Sequence, residues 1–172
     1  VFHGWLMSDG YWAYRAYEHR LRCLTHLLRK ARGLEESLDH RVQRFGQTLR
    51  EHLDAVMASV YAAREGPPPL PLRQQHAAAL NALLELCIAH TECTHAKTRA
   101  LARELLNDWD TFWVVLEHPE LPLTNNAAER ALRHWVIARR ISYGTRNDQG
   151  SRVFAALASV IETCRQRALS PW

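Results

Sequence analysis

Two acidic residues stand where a carboxylate could bind a metal ion. Asp9 follows a short apolar segment at about 5–8, in the sequence SDGY, and Glu129 lies in TNNAAERALRHWVIARR. A strand end holds a side chain rigidly at the edge of the fold, and hard cations such as Mg²⁺ prefer carboxylate oxygens. Asp-Gly is also typical of a simple turn, however, and spacing alone favours that turn at Asp9.

Glu129 has a structural explanation as well. Asn126-x-x-Glu129 fits a capping box, in which the Asn side chain accepts from an early amide of the helix and the Glu reaches back to the cap. A glutamate in the first turn also complements the helix dipole, and Arg133, one turn later, is placed to pair with it. These explanations account for Glu129 but leave the other arginines unexplained.

The excess positive charge is confined to the last third of the chain and consists only of arginine. Residues 119–172 contain 8 Arg and 4 acids, whereas residues 1–118 contain 14 Lys and Arg and 14 acids. Arginine binds phosphate in a bidentate manner, so this bias points to nucleic acid. A solvated charged face would look the same, and the pattern alone leaves the two open. The candidate phosphate contacts are Arg130, Arg133, Arg139, Arg140, Arg146 and Arg152.

The segment CIAHTECTH, residues 87–95, has the residue types of a zinc site. On one helix, at about 100° per residue, its Cys and His side chains span too wide an arc to meet at one ion, so we predict a structural helix. The four cysteines are scattered, which favours a reduced, intracellular protein. No apolar run is long enough for a membrane span, so we expect no membrane association.

The positions of apolar residues predict a mainly α protein with one or two strands at the amino end. After the strand at about 5–8, helical spacing covers about 21–38 and continues through Phe45 to Tyr61. Consecutive prolines in EGPPPLPLR, residues 65–73, end that helix. Further helices are predicted at about 74–90 and 98–116, and around Glu129. After a loop at 142–150, an amphipathic helix carries the stripe Val153, Ala156, Leu157, Val160, Ile161 and Cys164.

Taken together, three segments resemble transposases of the insertion sequence 66 family, bacterial mobile-element enzymes of the DDE class. These are SDGYWAYR, RCLTHLLRKAR, and the long stretch from TNNAAERALRHWVIARRISYGTR to the end. The resemblance implies that Asp9 and Glu129 are the second and third catalytic acids and bind the metal. It also implies a partial RNase H-like α/β core interrupted by a large helical insertion. The expected domains are a partial core at 1–30, the insertion at 31–118, and a catalytic-glutamate region at 119–172.

The same resemblance implies Mg²⁺ or Mn²⁺ as cofactor, transposon ends and target DNA as partners, and self-association. It implies a cytoplasmic bacterial protein that is nucleoid-associated when bound to DNA. In the family such an enzyme hydrolyses phosphodiester bonds at the element's ends and then joins the freed ends to target DNA. Asn125 and Asn126 would shape the turn that presents Glu129, and the six arginines would contact phosphates.

Two departures qualify the expected activity. Thr124 stands where many family members have an Asp, and no residue here matches the family's first aspartate, which belongs upstream of Val1. We therefore expect this chain to be inactive on its own. Two alternatives remain: a non-catalytic DNA-binding or regulatory remnant of a transposase, and a helical interaction module that does not bind nucleic acid.

Overall fold

The structure, a computed structural model, describes residues 3–171. The chain forms two compact units that divide between Asn125 and Asn126. The first unit contains a small sheet and most of the helices, and the second contains the last two helices. The prediction of a mainly α protein with one or two strands at the amino end is confirmed. None of the described helices combines the length and the apolar composition that a membrane span needs.

The sheet consists of two short parallel strands, β1 (Leu6–Ser8) and β2 (Arg20–Arg22). Met7 pairs with Leu21, and Ser8 pairs with Arg22. The strand predicted at about 5–8 is confirmed, but the helix predicted from residue 21 is wrong for its first three residues. Their apolar spacing suits a helix, but the strand ladder with β1 satisfies their main-chain groups, and helix formation starts only after the extended residue Cys23.

The longest helices of the first unit are α1 (Leu24–Glu35) and α2 (His40–Glu65). Asp39 caps α2 by accepting a 2.8 Å bond from the Arg41 amide, and the helix ends before the proline run, as predicted. Buried leucine, valine and phenylalanine side chains at helical spacing face each other across the pair. The helices approach closely at Gly46, where a β-carbon would lie only 2.6 Å from the Ala31 carbonyl oxygen.

The rest of the first unit is helical and completes one hydrophobic core. The elements are α3 (Leu72–Gln75), α4 (Ala77–Ala89), α5 (Ala96–Asn107) and α6 (Trp109–Trp113), followed by a 3-10 turn at Val114–Leu116. The single helix predicted over 98–116 is therefore wrong, because it is interrupted at Asp108. This residue leaves helical geometry with φ of −120°, and its buried carboxylate is bound to arginines from β2.

The second unit consists of α7 (Asn126–Ile141) and α8 (Asp148–Gln166). Asn147 caps α8 by accepting a 2.7 Å bond from the Gly150 amide, so the loop predicted over 142–150 ends before Asp148. Neither helix has a buried residue. The amphipathic stripe predicted in α8 is present, but Val153, Leu157 and Val160 are each more than 50% exposed, because a unit of two helices is too small to enclose a core.

Candidate catalytic acids and nucleic-acid interface

Asp9 lies directly after β1, where the chain leaves the sheet. Its Oδ1 accepts a 3.2 Å hydrogen bond from the Tyr11 amide, which closes the turn that the Asp-Gly pair predicts. Gly10 is required in this turn, since its φ of +105° is a conformation that side-chain-bearing residues rarely adopt, and a β-carbon there would also meet the Arg22 guanidinium. The Asp9 side chain is nevertheless exposed, so its carboxylate is accessible to a cation.

A buried arginine, Arg22, supports this turn. Its side chain is only 4% exposed, and Nη2 donates a 2.9 Å bond to the main-chain oxygen of Asp9. The guanidinium also pairs with the carboxylates of Asp108 and Glu104 and lies 4.7 Å from the centre of the Phe112 ring. The main chain that carries Asp9 is thus bound, through one side chain, to α5 and to the break before α6.

The charges around Arg22 nearly balance. Asp108, itself 3% exposed, also accepts a 3.1 Å bond from Arg20 Nη1, and Glu104 pairs with Lys30 as well. Buried charges are tolerated when they are paired in this manner. Sequence reasoning missed the cluster because the two acids lie 82 and 86 residues from Arg22. The available signal was the arginine at the end of a strand, between the apolar residues Leu21 and Cys23.

The acid of the second unit, Glu129, lies in the first turn of α7. It is exposed and lines a shallow groove along this helix. Three of the six predicted arginines line the same groove as Glu129, one as the next residue along the chain and two on the same helix face, at i+4 and i+11. These are Arg130, Arg133 and Arg140. Positive side chains beside a carboxylate form a suitable surface for phosphates that approach a bound cation.

The other three predicted arginines do not belong to this groove. Arg139 lines a different groove, between α7 and α8, together with Trp135 and Phe154. Arg146 lies in the loop between the two helices, and Arg152 lies near the start of α8. All of them are exposed. The structure therefore separates the three arginines that line the groove of Glu129 from the other three, and a phosphate contact by any of the six stays a prediction.

Glu162 joins α8 to α7, and sequence reasoning did not identify it. Its Oε1 accepts a 2.9 Å bond from Trp135 Nε1 and lies 2.8 Å from His134 Nε2, while Arg165 pairs with Oε2 at 2.8 Å. The hydrogen bond from Trp135, followed by the charges of Arg165 and His134, keeps the pKa of Glu162 below its usual value. This contact holds the two helices of the second unit together.

Asn125 and Asn126 stand where the chain enters α7. Asn125 is the last residue of the first unit, and its side-chain Oδ1 is buried without a hydrogen-bond partner among residues 3–171. Asn126 is the first residue of α7, so the structure begins this helix one residue earlier than a capping box with Asn126 as the cap. Their predicted role in shaping the turn stays a prediction.

Residues 3–171 contain no cluster of three or more His, Cys, Asp or Glu side chains that could hold a metal ion. The structural helix predicted for CIAHTECTH is wrong after Ala89, where α4 ends; the His90 ring contacts the Leu86 carbonyl oxygen, and His95 caps α5. Cys87 is buried, which raises its pKa to about 12. Asp9 and Glu129 are exposed oxygen donors of the kind that Mg²⁺ accepts, so their side chains fit the expected cation.

The two candidate acids belong to different units. Asp9 lies in the first and Glu129 in the second. Each is accessible in its own unit, and their pairing at one metal site stays a prediction. The four cysteines are all free thiols.

Comparisons with known proteins identify the family of this sequence. A family model described as the transposase IS66 family matches residues 1–153, a range that includes both acids and all six arginines. The uncharacterized protein y4jO of Sinorhizobium fredii is 38% identical over 63 residues, which are 37% of this chain and 20% of that protein. Protein y4hP of the same organism, also uncharacterized, is 37% identical over 67 residues, or 39% of this chain and 12% of that protein.

The chain thus aligns with a fifth or less of the length of these curated relatives. No solved structure matches it. The family match extends over most of the chain and includes the turn at Asp9, the helical region and the glutamate helix. The chain belongs to the transposase IS66 family.

Proposed function

We propose that this chain is part of an enzyme of DNA transposition that hydrolyses phosphodiester bonds at the ends of a mobile element and transfers the strands to target DNA. Asp9 and Glu129 are the metal-binding catalytic acids, on an RNase H-like core of which β1 and β2 are a part. The observation that carries the proposal is the face of α7, where Glu129 shares one groove with Arg130, Arg133 and Arg140.

The residues of this groove suit the chemistry of phosphoryl transfer. Asp9 and Glu129 would hold Mg²⁺ or Mn²⁺, which would supply activation of the attacking oxygen and stabilisation of the leaving one. The Asp9 carboxylate is presented by a turn that Arg22 holds, and Glu129 by the first turn of α7. The arginines neutralise phosphates on either side of the reacting bond, and their planar guanidinium groups orient the DNA.

We propose domains that are defined by their part in catalysis, so their bounds differ from those of the two compact units. We assign residues 1–30 to the core with the second acid, 31–118 to the helical insertion, and 119–172 to the region with the third acid. Asn125 and Asn126 shape the entry to α7. DNA is the partner, and self-association would be needed for an enzyme that joins two element ends.

DNA binding by the groove is tested with a short DNA duplex at low salt, by fluorescence anisotropy. We expect Arg133→Ala or Arg140→Ala to weaken binding about tenfold, since each removes a charged contact to phosphate. Arg44→Ala removes an equally exposed arginine from α2 and is the matched control. Equal effects of all three changes would contradict an interface on α7, and no binding at low salt would favour a helical interaction module.

A second candidate is a non-catalytic DNA-binding or regulatory remnant of a transposase. It is favoured by the exposed arginines of the second unit, which could bind DNA without a metal site. The two functions differ in Mn²⁺ affinity. For the enzyme, Glu129→Gln and Asp9→Asn each weaken Mn²⁺ binding, while Asp110→Asn, which changes an exposed acid of α6, does not. For the remnant, all three variants bind Mn²⁺ as the unchanged chain does.

A further inference from the structure

The two segments that lead to the candidate acids meet at one residue, Cys23. Its main-chain amide donates a 3.0 Å bond to the carbonyl oxygen of Ser8, the residue before Asp9. Its thiol sulfur accepts a 3.4 Å bond from the amide of Asn125, the last residue before α7. We propose that Cys23 is a positioning residue of the catalytic centre, which holds the strand end that bears Asp9 and the loop that leads to Glu129. This inference rests on the proposed function.

The neighbouring residue strengthens the connection to the loop. The Leu24 amide donates a 3.0 Å bond to the Leu123 carbonyl oxygen, and both side chains are buried, at 0% and 3% exposure. The loop is therefore attached at two points, one through the main chain and one through the Cys23 sulfur. Asn125 is joined directly to α7, and Glu129 follows Leu123 by only six residues (129 − 123). Both contacts lie within the first unit, and they hold its last residues, directly before the first residue of α7.

The side chains of Arg22 and Cys23 contact different parts of the chain. Successive side chains of an extended segment point to opposite sides. Arg22 binds the Asp9 carbonyl oxygen and the acids of the helical insertion, whereas Cys23 reaches Asn125. One short segment at the end of β2 therefore binds all three regions of the proposed enzyme. Within residues 3–171, the Cys23 sulfur is the acceptor for the Asn125 amide, and no other side chain of this segment accepts that bond.

A buried thiol suits this role because it is both apolar and a weak acceptor. Cys23 is 2% exposed and lies in the hydrophobic part of the first unit. Alanine fills most of the same space but leaves the Asn125 amide without its acceptor, which is unfavourable for a partly buried N–H group. Serine keeps an oxygen acceptor at the same branch of the side chain. Comparing the two substitutions therefore separates the effect of losing the hydrogen-bond acceptor from the effect of losing side-chain volume.

The first test measures amide hydrogen exchange in the ¹⁵N-labelled chain. We expect Cys23→Ala to accelerate exchange of the Asn125 amide by about tenfold or more, and Cys23→Ser to restore most of the protection. Cys87→Ala is the matched control, because it removes another fully buried thiol from α4 and leaves Asn125 untouched. Unchanged exchange at Asn125 in Cys23→Ala, or acceleration of equal size in Cys87→Ala, would overturn the proposal.

The second test measures the Mn²⁺ affinity of the same variants by electron paramagnetic resonance of the free ion. We expect Cys23→Ala to weaken binding several-fold, with rescue by Cys23→Ser and no change in Cys87→Ala. Normal affinity in Cys23→Ala, despite lost protection at Asn125, would make Cys23 a structural contact only and overturn its positioning role. If Asp9→Asn and Glu129→Gln also fail to change the affinity, the metal site itself is refuted, and with it the proposed function.

Discussion

At the residue scale, the position of Asp9 depends on a charge that lies outside the candidate site. The Arg22 guanidinium is buried, bonds to the main chain of Asp9, and is neutralised by Asp108 and Glu104. A buried pair of this kind adds little net stability over an apolar pair, but removing one partner leaves the other charge uncompensated. The acid on α5 and the acid before α6 are therefore needed for the turn at Asp9, although neither is near it in sequence.

Asp108→Asn removes one of the two charges that neutralise Arg22. We expect the free energy of unfolding to fall by about 3 kcal/mol, because the guanidinium stays buried with less compensation. Urea unfolding, followed by circular dichroism, measures this change. Asp110→Asn is the control: Asp110 is 88% exposed and lies 3.6 Å from Arg73, so its loss should cost well under 1 kcal/mol. Similar losses in both variants would show that the Arg22 cluster does not need the charge of Asp108.

At the element scale, the packing of a helix against its neighbour decides whether a glycine within it stabilises or destabilises the fold. Gly33 in α1 and Gly46 in α2 both occupy helix interiors, where glycine is unfavourable by intrinsic propensity. A β-carbon at Gly33 would have no neighbour within 4 Å, whereas one at Gly46 would meet the Ala31 carbonyl oxygen and the Glu35 amide. The same residue type is thus a local weakness in one helix and the point of closest approach in the other.

Alanine substitutions should consequently have opposite effects at these two positions. We expect Gly33→Ala to raise the free energy of unfolding by about 0.5–1 kcal/mol. Gly46→Ala should lower it by about 1–3 kcal/mol, since α1 and α2 must move apart. Thermal and urea unfolding of both variants provide the comparison. Stabilisation by Gly46→Ala would mean that the close approach of the two helices is not a tight constraint.

The contact between α7 and α8 should depend on pH through Glu162. Because its pKa is lowered in the folded chain, its contribution to stability is fully present above the usual value of 4.5 and disappears as the pH falls through the lowered value. We expect the Trp135 indole N–H signal in NMR spectra to shift in this acidic range. Glu162→Gln should abolish the transition, and Asp148→Asn, a change in the first turn of α8, should retain it. A transition that persists in Glu162→Gln would assign it to another group.

At the scale of the whole molecule, the net positive charge lies in the second of the two units. Residues 119–172 contain the whole net charge of +4, and the six predicted DNA contacts lie in the second unit. Most of the first unit's charged side chains are instead used within it, as at Arg22, Asp108 and Glu104. Attraction to a polyanion is therefore expected to arise from the second unit.

This division predicts the salt dependence of DNA binding. Replacing Arg130, Arg133 and Arg140 together by alanine should reduce the slope of log K against log [salt] by about 3, because each phosphate contact adds about 0.9 for duplex DNA. A control with Arg32, Arg41 and Arg44 replaced loses the same formal charge from exposed positions of α1 and α2. Titrations at several salt concentrations measure both slopes. An equal loss of slope in the control would indicate that only total charge matters.

Local signals in the sequence were sufficient for some features. Helical spacing and the proline run after Glu65 predicted most helices, and the turn at Asp9 followed from Asp-Gly. The break at Asp108 and the strand β2 were not predictable in this way, because Leu21 and Arg22 take part in a ladder with β1, and Asp108 is bound by arginines from β2. In both places tertiary contacts override local preference.

The sequence by itself determined the mainly helical character, the family resemblance, and the two candidate acids with their arginines, because periodicity and short motifs are local properties. Only the tertiary structure decided which arginines share a groove with Glu129, which acids neutralise Arg22, and which residue joins the segments before Asp9 and Asn126. The physical reason is distance along the chain: Arg22 and Asp108 are 86 residues apart, and Cys23 and Asn125 are 102 apart. Such contacts form only when folding brings their segments together.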